Sequence, residues 1–139
     1  MIRQLSVFVE NKPGNLVEIT EALTDAAINI RAIATFDTPE FGILRLVVDK
    51  PRQAKEYLTS KGFVVRLNEV ISVELVDEKG AINNMLKKLA EAEVNLDYIY
   101  SFVIRQGKAP IMVFHTDNCE KAVETLKQNK ANMIEEEDL

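Results

Sequence analysis

The chain has 139 residues, 47% hydrophobic and 28% charged, which is the balance of a globular protein with a real core and excludes a disordered one. The net charge of -5 excludes the basic footprint that nucleic-acid binding needs, and no apolar run is long enough to cross a membrane. Cys119 is the single cysteine, so neither a disulfide framework nor a Cys-rich metal site is available; with no signal-peptide pattern at the N-terminus, the reading is a cytoplasmic protein without a cofactor or a metal.

The charge is uneven. Residues 1–69 carry nine Lys/Arg and nine Asp/Glu, whereas residues 70–139 carry eight and thirteen. Much of the excess lies in Glu135-Glu136-Glu137-Asp138, read as a solvated tail.

In chain order, "QLSVFVE" alternates and is β-rich, so it predicts a strand. "ENKPGNL" follows, a turn with Pro13 and Gly14. Residues 15–28 place Leu16, Ile19, Leu23 and Ala27 at helical spacing. "IRAIATFD" predicts a second strand, "TPEFG" a turn and "ILRLVVD" a third strand. Pro51 opens a helix that stops at Gly62, the favoured asymmetry, and "FVVRL" is a fourth strand. The order is β-α-β-β-α-β.

The chain then repeats itself. At a shift of 66 residues Gly14 meets Gly80, Leu23 meets Leu89, Asn29 meets Asn95 and Phe36 meets Phe102. Beyond the next loop the shift becomes 68, with Asp49 on Asp117 and Leu58 on Leu126. Such self-similarity argues for two copies of one unit. In the second copy the elements are "VISVELV", "AINNMLKKLAEAEV", "LDYIYSFVI", "APIMVFH", "CEKAVETLKQN" and "ANMIEE". The predicted fold is α+β: two tandem ferredoxin-like βαββαβ units, antiparallel sheets with helices on one face, over residues 1–68 and 69–139.

The helix start after each glycine is the candidate site. Helix N-termini carry unpaired N–H groups and partial positive charge. Gly14 lets a ligand come close to the backbone, which suits a carboxylate. Asn11 can cap the helix or reach a ligand, and Asn29 can donate and accept at once, as the groups of an amino acid require. The plain alternative is a tight turn with a left-handed Asn nearby. The recurrence of the set, Asn11, Gly14 and Asn29 and then Asp77, Gly80 and Asn95, favours the functional reading.

The unit with "ENKPGNL" and, one helix later, "INI" resembles the ACT domain, a regulatory module that binds small amino acids. Among such domains it is most similar to the regulatory domain of bacterial phosphoglycerate dehydrogenase, which binds serine at a domain interface. The resemblance covers essentially the whole chain. It implies a ligand site of Asn11, Lys12, Pro13, Gly14, Asn15, Leu16, Asn29 and Ile30, with Asp77, Gly80 and Asn95 as second-copy counterparts. The chain departs from that pattern at Val9, where the dehydrogenase has His, and at Ala27 and Glu93, where Gly is usual. It also has Lys79 in the place of Pro13 and Asp77 in that of Asn11, so serine specificity is not inherited.

No catalytic set is visible. His115 and Asp117, two residues apart at a strand end, read as structural or solvated, and Cys119 at a helix start has no basic partner. Tyr98, Tyr100 and Phe102 alternate along one strand and read as packing residues. A phosphatase on this topology needs an Arg in the first strand-to-helix loop, and the loop offers Lys12. The expected function is a stand-alone amino-acid sensor, a homodimer that acts on an enzyme or other protein. The alternative is a structural dimerisation module with no small ligand.

Overall fold

In the computed structural model, residues 1–37, 41–103 and 107–139 are described. The elements are β1 (Ile2–Glu10), α1 (Asn15–Asp25), β2 (Ile30–Asp37), β3 (Phe41–Val48), α2 (Pro51–Ser60), β4 (Val64–Glu74), α3 (Ala81–Glu91), β5 (Leu96–Ser101), β6 (Ile111–Thr116), α4 (Cys119–Gln128) and β7 (Asn132–Met133). They form two compact units, Arg3–Glu69 and a second made of Met1–Ile2 with Val70–Leu139.

In the first unit the strand order is β2-β3-β1-β4. β1 and β2 each pair antiparallel with β3. Along β1, Leu5, Val7 and Val9 share one face, as the period of two demands. They meet Ile19 and Leu23 of α1, Ala54 and Leu58 of α2, and Leu44 and Leu46 of β3 in one core. The opposite face of β1 is polar at Gln4 and Ser6. The Gln4 amide donates to Asn68 Oδ1 at 3.4 Å and the Ser6 hydroxyl donates to the same oxygen at 3.2 Å. These bonds let a fully buried glutamine keep its polar group partnered.

The second unit repeats the order as β7-β4-β6-β5. Its core joins Ile71 and Val73 of β4, Met85 and Leu89 of α3, Phe114 of β6, and Ala122 and Leu126 of α4. The ladders share a further detail: β2 slips register between Ile30 and Ala32, and β5 between Leu96 and Tyr98. Arg31 and Asp97, the residues skipped, are themselves 66 apart.

Several expected boundaries move. The predicted strands "FVVRL" and "VISVELV" are one strand, β4, because Asn68 stays in the ladder and uses its side chain sideways. α1 stops at Asp25 rather than 28 and α3 at Glu91 rather than 94. β5 ends at Ser101, and the last strand is two residues long. In the expected turn "TPEFG", residues 38–40 lie outside the described residues, and β3 begins at Phe41.

Candidate functional site

The β1–α1 connection is built by three backbone bonds. Lys12 N–H donates to the Glu10 carbonyl at 2.9 Å, Asn15 N–H to the Lys12 carbonyl at 3.3 Å, and Glu18 N–H to the Gly14 carbonyl at 3.0 Å. Gly14 is the N-cap residue, at φ 88° and ψ −13°, a left-handed conformation that costs a residue with a Cβ about 1–2 kcal/mol. Nothing lies within 4 Å of where its Cβ would stand. The glycine is therefore there for its backbone, and the space beside it is open. No side chain caps α1, so the N–H groups of Leu16 and Val17 lie at an open helix end.

The β4–α3 connection is the same turn. Glu78 N–H donates to the Val76 carbonyl at 2.8 Å, Ala81 N–H to the Glu78 carbonyl at 3.3 Å, and Asn84 N–H to the Gly80 carbonyl at 2.9 Å. Gly80 has φ 88° and ψ 2°.

The side chains differ. In the first turn the Asn15 amide donates to the Glu10 carbonyl at 2.7 Å; its counterpart Ala81 cannot. Lys12 Nζ lies 2.7 Å from Glu10 Oε2. The hydrogen bond from Lys12, with its charge, holds the Glu10 carboxyl below its ordinary range, and Glu10 in turn raises Lys12. At the second turn the matching residues are Val76 and Glu78, so no such pair forms.

A groove opens beside each turn. The first has a volume of about 430 Å3 and is bordered by residues 9–17 together with Thr35, Gly42, Ile43 and Leu44. The second, about 480 Å3, takes in Val76, Asp77, Glu78, Gly80, Ile82 and Pro110. Both volumes fall within the roughly 300–1,000 Å3 usual for small-molecule sites.

Of the expected site residues, Asn11, Lys12, Pro13, Gly14, Asn15 and Leu16 line the first groove, and Asp77 and Gly80 the second. Asn11 does not cap α1, and among the described residues its amide has no partner. Asn29 and Ile30 are not brought to the groove of their own unit. They follow the other end of α1, whose 11 residues span about 16 Å. There Asn29 N–H donates to Asp49 Oδ1 at 3.0 Å and Asp49 N–H to the Asn29 carbonyl at 3.1 Å, while Ile30 packs on the core. Asn95 holds the matching place before β5. Val17, Thr35, Gly42, Ile43 and Leu44 were not among the expected site residues. The βαββαβ order puts β1 beside β3, and that pairing was the signal for Gly42, which stands opposite Val9.

Elsewhere, His115 Nδ1 lies 2.7 Å from Asp97 Oδ2, not beside Asp117, which accepts from the Thr116 hydroxyl at 3.4 Å. His115 stacks on Tyr98, with ring centroids 5.5 Å apart, and Tyr98 on Tyr100. Cys119 points its thiol at the Thr116 carbonyl, 3.5 Å away. The acidic end is more than a solvated tail. Glu135 holds the Met1 ammonium, and Glu135 N–H donates to Asp138 Oδ2 at 2.9 Å in a capping box. Among the described residues no group of three or more His, Cys, Asp or Glu is placed to hold a metal ion, and no helix is long and apolar enough to cross a membrane.

Two βαββαβ units in tandem, each with a glycine turn opening its first helix, define a protein of the tandem ferredoxin-like class. The chain belongs to the ACT domain pair family, which it matches over residues 1–139. It is similar to the crystal structure of protein BT0572 from Bacteroides thetaiotaomicron, with 32% identity, a TM-score of 0.90, and coverage of 99% of this chain and 94% of that one. It also shares its fold with the ligand-free regulatory subunit of aspartate kinase from Thermus thermophilus, at 19% identity and a TM-score of 0.62 over 91% of this chain and 90% of that one. No curated protein matches the sequence.

Proposed function

We propose that the protein is a non-catalytic regulatory protein of the cytoplasm that binds a free amino acid and acts, as a homodimer, on an enzyme or other partner protein. The observation that carries this reading is the groove at Gly14. It combines an uncapped helix start, a glycine facing open space and the unpartnered amide of Asn11 in one place. The ligand carboxylate sits against the N–H groups of Leu16 and Val17, where backbone dipoles favour an anion, and Asn11 bonds its remaining polar groups. Asn29 stands a helix length away, so an Asn29 amide that completes the site comes from another copy of the chain. Ligand binding then favours one arrangement of copies over another, which is regulation by differential affinity. Membership of the ACT domain pair family, with a fold shared with an aspartate kinase regulatory subunit, supports a regulatory role.

The test is a thermal-shift screen against the twenty amino acids. A ligand at about a hundred times its dissociation constant adds roughly 2.7 kcal/mol, a rise of several degrees for a chain of this size. No shift with any amino acid moves the reading to a structural dimerisation module.

A further inference from the structure

The two grooves share a backbone and differ in floor, wall and charge. In the first, Val9 on β1 stands opposite Gly42 on β3, so the floor of the groove carries no side chain at that position. In the second, Leu75 takes the place of Val9, and its N–H donates to the carbonyl of Pro110 at 2.9 Å. Pro110 lines that groove, so a proline ring stands at the position that glycine holds in the first. The first wall is apolar and uncovered, with Leu16 45% and Val17 56% exposed; in the second, Ile82 is likewise 45% exposed and the place of Val17 is taken by the polar Asn83. Exposed apolar side chains gathered in a concavity are the usual mark of an apolar occupant. The rims differ in charge as well. Asn11 and the Glu10–Lys12 ion pair, with no net charge, border the first groove, and Asp77 and Glu78, in the positions matching Asn11 and Lys12, border the second. Two carboxylates repel the carboxylate of an amino acid.

We propose that the first groove alone takes the ligand, one per chain, and that the ligand is an amino acid with an apolar side chain, seated between Leu16 and the floor at Gly42. This rests on the reading of the protein as an amino-acid sensor and names its ligand class and its site. The second groove keeps the turn and does not bind an amino acid.

Isothermal titration of the full chain with leucine, valine, phenylalanine, serine, aspartate and lysine tests it. One site per chain is expected, with at least one of the three apolar amino acids binding tenfold or more tighter than serine, aspartate or lysine. Gly42 lies within strand β3, and the fold accepts Pro110 at the matching position, so Gly42→Ala and Gly42→Leu give a graded filling of the floor. Affinity should fall with added size, by tenfold or more for Gly42→Leu, at an unchanged circular-dichroism spectrum. Leu16→Glu should abolish binding, whereas Ile82→Glu at the sister position should leave it within twofold. Serine, aspartate or lysine binding as tightly as the apolar set overturns the ligand class and leaves the sensor reading standing. Two sites per chain, or loss of binding in Ile82→Glu but not in Leu16→Glu, overturns the choice of groove. No heat with any amino acid overturns the sensor reading and this proposal with it.

Discussion

Ala27, Glu93 and Lys130 have φ of 53°, 57° and 55°, a left-handed conformation that a Cβ resists. Each follows a helix and closes the same motif. Ala27 N–H donates to the Thr24 carbonyl and Ile28 N–H to that of Leu23; Glu93 and Val94 do the same to Ala90 and Leu89, and Lys130 and Ala131 to Lys127 and Leu126. Only after α2 is the residue a glycine, Gly62 at φ 93°. Replacing Ala27, Glu93 or Lys130 by Gly should raise stability by about 0.5–1 kcal/mol each, the left-handed strain relieved less the entropy of a freer unfolded chain. Gly62→Ala should lower it by about 1 kcal/mol. Urea denaturation measures all four, and a destabilising Glu93→Gly would contradict the argument. Glu10 and Lys12 make a second prediction. The lowered Glu10 favours the ordered rim above the ordinary carboxylate range, and that contribution is lost as pH falls through its depressed value. The raised Lys12 contributes below the ordinary lysine range, and its contribution is lost as pH rises through the raised value. Both side chains are solvent-exposed, so the effect is local. In an NMR titration of Lys12→Met, the Glu10 midpoint should return upward to the ordinary range while the melting temperature stays unchanged within error.

The elements were legible in the sequence wherever period and punctuation agreed. Leu5, Val7 and Val9 announced β1, and Pro51 with Gly62 bracketed α2. The misreadings share a cause: side-chain pattern was followed where backbone geometry decided. Ala27 continues the apolar spacing of α1, yet its φ belongs to the cap. Asn68 and Glu69 fall in the gap between the two strands expected from "FVVRL" and "VISVELV". The strand runs through them because Asn68 finds partners in Gln4 and Ser6 across the ladder, and such pairing is invisible before the strand order is known. The same holds for the groove. Its turn was readable from "NKPGN"; its floor at Gly42 needed a further step, the β1–β3 pairing that the βαββαβ order implies and the register that sets Gly42 against Val9. At this scale the two cores should respond alike to matched truncations. Leu23→Ala and Leu89→Ala each empty a site that is 1% exposed and should each cost about 2–5 kcal/mol in urea unfolding. Asn118 caps α4 by accepting from Lys121 N–H at 3.2 Å, and Asn118→Ala should cost about 1 kcal/mol.

At the scale of the whole molecule the position of Asn29 is the informative fact. A single α1 separates it from Asn11, so one ligand cannot touch both amides of one unit. If both amides serve one ligand, they belong to different copies, and the site is made by association. In a symmetric homodimer each of two equivalent sites then takes Asn11 from one protomer and Asn29 from its partner. Asn11→Ala and Asn29→Ala chains should each fail to bind alone. Mixed and allowed to exchange, they should recover binding, because a mixed dimer holds one site with both amides intact and one with neither. With random exchange of equal amounts, half the dimers are mixed, so about a quarter of all sites return, at unaltered affinity. Titration of the mixture before and after exchange measures this directly. Full binding by Asn29→Ala alone would confine the ligand to the Gly14 groove of a single unit. A mixture that stays silent after exchange, with the dimers shown to have mixed, would mean that Asn11 and Asn29 do not serve one ligand across two copies.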